Sequence, residues 1–320
     1  MNINYPKISI VTPSYNQGQF IEQTILSVLE QGYPNLEYII IDGGSSDNTV
    51  EIIKKYADKI TYWVSEKDNG QSDALNKGLA HCSGDIFNWI NSDDYFEPNS
   101  FLKIAQYFID NPSIEMVCGY CRYFNNETLE QTFIHRSGIF KSVEETLINQ
   151  IINQQASFYK LAIVKSLGGI NKRLHYCMDL DLWFRYLIQY GQKNILLVDD
   201  LFAHFRLHDE SKTVQYQTRF RAEENLLWSN LLSKLKVNEN IVHFFSSNNE
   251  YRDNGEWVYH AIQKKKMVEI ICEKHFFEFY KSKSFAASKF AFWNQLKAGK
   301  IKFAQPYVGI FYNLFVKRIS

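Results

Sequence analysis

Residues 7–47 read KISIVTPSYNQGQFIEQTILSVLEQGYPNLEYIIIDGGSSD, and this stretch decides the fold. Residues 7–12 form a short apolar run that a proline ends, which predicts a buried strand. Apolar side chains recur at helical spacing through 20–29, and 36–41 is a second β-rich run that an Asp-Gly-Gly turn stops. The stretch therefore predicts a strand, a helix and a second strand in succession.

The same alternation continues to residue 90. A helix that extends to about residue 56 follows the turn, and a strand follows it at 60–64. A third helix at 72–80 then leads into a fourth strand at 85–90. Strands that alternate with helices are typical of a parallel sheet covered by helices on both faces, so we predict an α/β fold.

The pattern loosens after residue 100 and becomes mainly helical after residue 213. Between these points we predict helices at 101–109, 143–152 and 179–190, and strands at 116–123, 132–135, 195–198 and 202–207. We expect a first domain at 1–213 and a mainly helical C-terminal region at 214–320.

The composition is that of a globular protein, since 45% of the 320 residues are hydrophobic and 22% are charged. Thirty-five basic residues balance thirty-five acidic ones, which argues against a nucleic-acid partner. The balance hides a division, because residues 1–100 carry a net charge of −8 and the remaining 220 carry +8. The acidic first part favours metal ions or neutral polar ligands.

The cysteines and the N-terminus indicate a cellular compartment. Five scattered cysteines do not suit a disulfide framework, and the pair Cys118 and Cys121 lacks the second pair of a zinc site. We interpret that pair as a coincidence within a strand. The chain starts without a basic and apolar leader, and it contains no apolar run of about 18 residues. We therefore expect a cytoplasmic protein without a membrane span.

Acidic residues follow three of the predicted strands. Asp42 follows the second strand, Asp68 and Asp73 follow the third, and Asp93 with Asp94 follows the fourth. The carboxyl ends of parallel strands meet at one edge of a sheet, where open α/β folds bind their ligands. Converging carboxylates repel one another, so we predict a divalent cation with a bound diphosphate between them. A turn or a helix cap is the structural alternative for Asp93 and Asp94.

Four motifs, in order, give the chain a resemblance to a known family. They are the opening stretch extended to Thr49, WINSDD at 89–94, MDLDLWFR at 178–185 and FRLHDESKT at 205–213. Over about residues 7–210 the chain resembles the GT-A fold glycosyltransferases, specifically glycosyltransferase family 2. The resemblance implies a Rossmann-like, mostly parallel sheet flanked by helices. It also implies a nucleotide-binding half at about 1–100 and an acceptor half at about 101–213.

The resemblance implies an activity as well. Such enzymes transfer a sugar, with inversion, from a nucleotide diphosphate sugar to a hydroxyl group. For this chain we expect a UDP-sugar donor, a glycan or lipid-linked saccharide as acceptor, Mn²⁺ or Mg²⁺ as cofactor, and a role in cell-surface polysaccharide synthesis.

Two departures from the family's motifs keep other functions open. Asn91 stands where the metal motif often has Asp, and Met178 stands where a Glu often precedes the base. They favour an alternative in which the chain is a catalytically degenerate sugar-nucleotide or glycan-binding partner within a polysaccharide assembly complex. A sugar nucleotidyltransferase ranks last, because the glycine-rich nucleotide loop of that class is missing after the first strand.

The motifs imply roles for individual residues. We expect the nucleotide to contact Thr12, Pro13, Tyr15, Asp42, Asp73 and Ser92. We expect Asp93, Asp94 and His208 to bind the metal, Arg206 to bind the diphosphate and Trp183 to contact the acceptor. Four of these residues could instead have a purely structural role. Asp42 can bond its own loop, Asp73 can start a helix, and His208 and Trp183 can belong to the packed interior.

Asp179 matches the family's general base. A sugar hydroxyl is a poor nucleophile at neutral pH, so a carboxylate must take its proton as the bond to C1 forms. One base suffices for inversion, because a metal can neutralise the leaving diphosphate. Asp181 lies two residues further along the same helix and faces another direction, so we expect it to be structural. Helix capping is the alternative for both residues.

The C-terminal sixty residues, 261–320, carry twelve Lys and Arg, three Glu and thirteen aromatic residues. Basic residues interleaved with aromatic rings suit the surface of an anionic membrane, here the inner face of the cell membrane. A helical bundle with a solvated basic face, or with an oligomer contact, is the alternative.

Overall fold

The computed structural model describes residues 5–246, 262–301, 310 and 312–316. Its strands are β1 (Ile8–Ser14), β2 (Leu36–Asp42), β3 (Tyr62–Ser65), β4 (Ile86–Trp89), β5 (Tyr95–Phe96), β6 (Met116–Asn125), β7 (Gln131–Arg136), β8 (Ser157–Lys160) and β9 (Ile195–Leu207). Its helices are α1 (Ile21–Leu29), α2 (Thr49–Lys55), α3 (Gln71–His81), α4 (Ser100–Asp110), α5 (Val143–Asn149), α6 (Leu161–Ser166), α7 (Met178–Tyr190), α8 (Lys212–Gln215), α9 (Gln217–Lys234), α10 (Glu239–Ser246), α11 (Lys264–Lys281) and α12 (Phe285–Lys297).

The strands form one sheet in the order β3-β2-β1-β4-β8-β6-β9-β5, with β7 paired to β6. The four N-terminal strands run parallel to one another, which confirms the predicted α/β fold. Strand β8 lies antiparallel between β4 and β6 and connects the two halves of the sheet. The sequence pattern did not predict β8, because its place in the sheet depends on antiparallel pairing with segments that are distant in the chain.

Helices cover both faces of the N-terminal half, and the side chains of β1 and β2 alternate between two cores. Ile10 and Ile40 pack into one buried cluster, whereas Val11 and Ile41 pack into the other. Every residue of β1 is buried, as a central strand with helices on both sides requires. This burial explains why the strand has apolar residues on both of its faces.

Two predicted boundaries were wrong. The strands predicted at 195–198 and 202–207 are one strand, β9, which pairs in parallel with β6 and absorbs the intervening polar residues at a register shift. The helix predicted at 143–152 ends earlier, because Gln150 adopts a left-handed conformation with φ 51°.

The C-terminal region is helical, as predicted. Helices α9 to α12 follow one another, and their core is continuous with that of α7, where the ring centroids of Phe184 and Trp228 lie 5.0 Å apart. Within the described ranges, no helix is both long and apolar enough to cross a bilayer. Part of the basic tail predicted at 261–320 lies outside the described residues.

Candidate active site

A cavity of about 670 Å³ opens at the carboxyl ends of β1, β2 and β4. The loops after these strands form one side, and the first turn of α7 and the segment after β9 form the other. The wall includes Pro13, Ser14, Tyr15, Gly43, Asp68, Ser92, Asp93, Asp179 and Lys212. The predicted convergence of separate segments on this edge is therefore present in the fold.

Asp42 holds the loop under the cavity. Its buried carboxylate accepts hydrogen bonds from the Ser45 amide (2.9 Å), the Ser45 hydroxyl (2.5 Å) and the Ser65 hydroxyl (2.6 Å). The loop it fixes presents Gly43 to the cavity, where a Cβ would lie 2.9 Å from the Asp68 carboxylate. Because these hydrogen bonds engage both of its oxygens, Asp42 bonds its own loop, which is the structural alternative to the predicted contact with the nucleotide.

Asp93 and His208 are the two predicted metal ligands that the fold brings together. His208 Nε2 lies 3.1 Å from Asp93 Oδ2, and the imidazole packs on the ring of Phe20. Among the described residues there is no cluster of three or more acidic, His or Cys side chains suited to a metal. Two protein donors nevertheless fit Mn²⁺ or Mg²⁺, which complete their coordination with water and substrate phosphate oxygens.

Asp94 is not placed to bind a metal. It is buried, and its carboxylate accepts hydrogen bonds from the Arg206 amide (3.0 Å), the Gln155 side chain (3.2 Å) and the Asn91 side chain (3.3 Å). Burial raises the pKa of Asp94 well above its ordinary value, and the charge of Asp93 adds to the rise. Asp94 joins the loop after β4 to β9, so the prediction that it is a metal ligand was wrong.

The guanidinium of Arg206 is also committed within the protein. It donates to the Asp93 carbonyl (2.9 Å), the Asn126 side chain (2.6 Å) and the Gln23 side chain (2.5 Å), and it packs over the ring of Phe20. Burial lowers the pKa of Arg206. Arg206 is not among the residues that line the cavity, and three of its five N–H donors hold the Asp93 loop in place, so a positioning role replaces the predicted contact with the diphosphate.

Lys212 supplies positive charge to the cavity wall. The sequence motifs had predicted no role for this residue. Its ammonium donates to Gln71 Oε1 (3.0 Å), and Gln71 in turn donates to Asn91 Oδ1 (2.7 Å). Desolvation lowers the pKa of Lys212, while nearby Asp93 acts in the opposite direction. The residue stands within the FRLHDESKT motif, so its position was visible although its role was not.

Asp179 lies in the first turn of α7 and faces the cavity. Its Oδ1 accepts a hydrogen bond from the Leu180 amide at 2.8 Å. Burial raises the pKa of Asp179 to about 6, which suits a base that works near neutral pH. Asp181 is fully buried and pairs with Arg185 at 2.7 Å, which confirms the prediction that it is structural.

The other predicted nucleotide contacts divide into two groups. Pro13, Tyr15 and Ser92 line the cavity. Thr12 lies deeper, with its hydroxyl 3.1 Å from that of Tyr38, and Asp73 pairs with Lys172 at 3.1 Å. Neither Thr12 nor Asp73 is among the residues that line the cavity, so their contact with the nucleotide stays a prediction.

Trp183 was predicted to contact the acceptor, but its indole is fully buried in the main core and its ring lies 6.4 Å from that of Tyr186. That prediction was wrong, because the helix turns this side chain into the core.

Two polar atoms in the cavity wall point to a ligand that the sequence did not identify. Ser14 Oγ and Gln17 Oε1 are buried and have no hydrogen-bond partner among the described residues. Buried polar groups are rarely left unpaired, since each costs about 1–3 kcal/mol. Both residues line the cavity beside Tyr15, where a polar ligand would satisfy them.

Sequence comparisons agree with the resemblance seen in the motifs. The family model described as "Glycosyl transferase family 2" matches residues 9–170. An uncharacterized glycosyltransferase of Rickettsia typhi is 28% identical over 248 residues, which are 75% of this chain and 76% of the relative. One of Mycobacterium tuberculosis (strain CDC 1551 / Oshkosh) is 32% identical over 167 residues, which are 51% of this chain and 62% of the relative.

Solved structures share the fold at low sequence identity. Residues 1–349 of S. aureus TarS in complex with UDP-GlcNAc align with a TM-score of 0.57 and 17% identity, over 86% of this chain and 73% of that one. The mannosyltransferase PcManGT of Pyrobaculum calidifontis, in complex with GDP-Man and Mn²⁺, aligns with a TM-score of 0.52 and 15% identity, over 97% and 80%. The fold is therefore of the GT-A type.

Proposed function

The chain belongs to glycosyltransferase family 2, and from this membership we propose that it transfers a sugar, with inversion, from a UDP-sugar to a hydroxyl of a glycan or lipid-linked saccharide in cell-surface polysaccharide synthesis. One observation carries the proposal. Asp93, suited to a metal, and Asp179, suited to a base, line the same cavity although 86 residues separate them in sequence. A panel of nucleotide sugars, assayed for released nucleoside diphosphate, tests it.

The donor is proposed to lie along the loop after β1. Ser14 Oγ and Gln17 Oε1 offer buried polar groups without partners among the described residues, and Tyr15 offers an exposed ring. These groups suit the base and ribose of a nucleotide. Support comes from the structural neighbours, which are complexes with UDP-GlcNAc and with GDP-Man.

Asp93 and His208 would hold Mn²⁺ or Mg²⁺ beside the diphosphate. The bound ion would supply positive charge that stabilises the departing nucleoside diphosphate. Lys212 faces the same space and is proposed to pair with the phosphate oxygens. Arg206 contributes indirectly, because it fixes the backbone of Asp93.

Asp179 would accept the proton of the acceptor hydroxyl. As the proton moves to the carboxylate, the acceptor oxygen forms a bond to C1 of the donor sugar, and the bond from C1 to the diphosphate oxygen breaks. Attack on the face opposite the leaving group inverts the configuration at C1. The raised pKa of Asp179 makes the carboxylate a stronger base than an ordinary aspartate.

Substitution of Lys212 separates its proposed role from that of Arg206. Lys212→Met is expected to raise KM for the UDP-sugar about tenfold, because a charged hydrogen bond to the diphosphate is lost, and to leave the melting temperature unchanged. Arg206→Met is expected to lower the melting temperature, because Asn126, Gln23 and the Asp93 carbonyl lose their donor. Steady-state kinetics and thermal unfolding of both variants show which of the two residues binds the diphosphate. A stable Arg206→Met protein with only a raised donor KM would reverse the two assignments.

A binding function without catalysis is the second candidate. Asn91 adds no charge beside the metal site, since its amide is engaged with Gln71 and Asp94, and Met178 presents an apolar side chain to the cavity. Nucleotide binding without turnover, unaltered by Asp179→Asn, would favour this function.

We further propose that the protein is cytoplasmic and contacts an anionic membrane through α11 and α12. Trp293 is 46% exposed, and Lys289 and Lys297 stand four residues to either side of it on the same helix. Sedimentation with phosphatidylcholine vesicles, with and without phosphatidylserine, is expected to pellet the wild type only with the anionic lipid. Trp293→Ala should reduce the pelleted fraction, whereas equal sedimentation with both vesicles would contradict the proposal.

A further inference from the structure

Three aromatic residues form a row across neighbouring strands on the acceptor side of the sheet. Tyr123 of β6 stands in register with Phe133 of β7 on one side and with Phe205 of β9 on the other. Residues in register on adjacent strands project from the same face. The ring of Tyr123 lies 4.2 Å from that of Phe133 and 4.8 Å from that of Phe205, so the three rings form a continuous stack.

His135 widens the outer end of this row. It stands two residues beyond Phe133 on the same face of β7, and the planes of the two rings differ by only 6°. Both rings stack on Tyr123, at centroid distances of 4.2 and 4.9 Å. Tyr123 stacks against one face of Phe133, and 45% of Phe133 remains exposed. The outer end of the row therefore offers a flat aromatic surface in which Phe133 is the more exposed ring.

The inner end of the row reaches the proposed reaction site. Phe205 lines the same cavity as Asp179. Burial raises the pKa of Tyr123, and the Asp179 carboxylate is among the nearby charges that add to the rise. Strands lie about 4.8 Å apart, so three strands carry the row about 10 Å outward from the cavity, roughly the length of two sugar rings.

The chemistry of the platform selects one kind of occupant. A pyranose has flat faces of apolar C–H groups and a rim of hydroxyls, and such faces stack on aromatic rings. An open polyol chain or a lipid tail has no flat face. Such a chain would bind near-parallel aromatic rings no more strongly than it binds a surface of branched aliphatic side chains. Building on the proposed transferase function, we propose that Tyr123, Phe133 and His135 form a stacking platform for an oligosaccharide acceptor. The sugar that receives the transfer lies beside Phe205, and a sugar further along the oligosaccharide rests on Phe133.

The test uses defined oligosaccharides and the full chain. Binding of cellotetraose, chitotetraose and maltotetraose is measured by titration in the presence of UDP and Mn²⁺. We expect at least one of them to bind the wild type. For that one, Phe133→Ala should weaken binding about fivefold, and Phe133→Trp should retain it. The matched control is Ile134→Ala, because Ile134 is 40% exposed on the opposite face of the same strand and should have no effect.

Each other outcome overturns the proposal. Unchanged affinity in a folded Phe133→Ala variant would remove the platform from acceptor binding, and equal losses in the Phe133 and Ile134 variants would indicate a general effect on the hairpin. Failure of the wild type to bind any of the three tetrasaccharides would also overturn it. Binding of UDP by the wild type, measured separately, reports on the proposed donor function, so the two failures are distinguishable.

Discussion

Asp179→Asn is expected to lower kcat about a thousandfold, because general base catalysis contributes roughly 10²–10⁴-fold and an amide cannot accept the proton of the acceptor hydroxyl. The substitution keeps the shape of the side chain, and the Asn oxygen can still accept the hydrogen bond from the Leu180 amide. We therefore expect an unchanged fold and unchanged affinity for UDP. Nucleoside diphosphate release under saturating donor measures the loss.

The pH dependence gives an independent readout of the same residue. Burial raises the pKa of Asp179 to about 6, so below this pH the carboxyl is protonated and cannot act as base. Activity of the wild type should rise with pH through about 6, and this limb should be absent from the residual activity of Asp179→Asn. Glu210→Gln is the matched control, since Glu210 also lines the cavity but no step uses it. An Asp179→Asn variant as active as the wild type would remove Asp179 from the chemistry.

Asp93→Ala is expected to abolish stimulation by Mn²⁺ and to lower activity at least a hundredfold. The carboxylate of Asp93 faces the cavity next to His208, and loss of one of two protein ligands leaves little to hold the ion beside the diphosphate. Folding should remain intact, because Arg206 is bonded to the Asp93 backbone carbonyl rather than to its side chain. Turnover across a range of Mn²⁺ concentrations, with thermal unfolding alongside, measures both effects.

Asp94→Asn is the control that separates the two neighbours. Asp94 accepts three hydrogen bonds in the interior, and an amide would set its own donor against one of them. This variant should lose about 1–3 kcal/mol of stability and keep its response to Mn²⁺. Asp93→Ala protein with full metal-stimulated activity, or Asp94→Asn protein that is stable but no longer responds to Mn²⁺, would contradict the assignment.

The parallel half of the fold could be predicted from the sequence because its signals are local. The strands at 7–12 and 36–41 are buried on both sides and are therefore rich in β-branched residues. Strand β8 could not be predicted in this way, because its place between β4 and β6 depends on contacts with distant segments.

The candidate site was predicted in position but less well in its individual side chains. A motif places a residue at the correct sheet edge, yet it does not tell which way the side chain points. Asp42, Asp73 and Asp94 turn toward the protein and hold loops, whereas Asp93 and Asp179 turn toward the cavity. For the same reason, the motif gave Arg206 a different role and gave Lys212 none. The partners of Arg206, Gln23 and Asn126, lie far from it in sequence.

These corrections change the electrostatics expected of the site. Convergence of many carboxylates was the first argument for a cation, but several of them are already satisfied by hydrogen bonds within their loops. A metal in this cavity would depend on Asp93, which lines it, and on His208, whose Nε2 lies 3.1 Å from Asp93 Oδ2. Lys212 shares the task of balancing the diphosphate charge.

The most direct test of this account is the affinity of the wild-type protein for UDP, measured by titration with Mn²⁺ and again with EDTA. We predict that UDP binds at least tenfold more tightly with Mn²⁺, and that Asp93→Ala abolishes the difference while Asp179→Asn preserves it. Equal affinity for UDP in Mn²⁺ and in EDTA would contradict a metal-bridged donor site in this cavity.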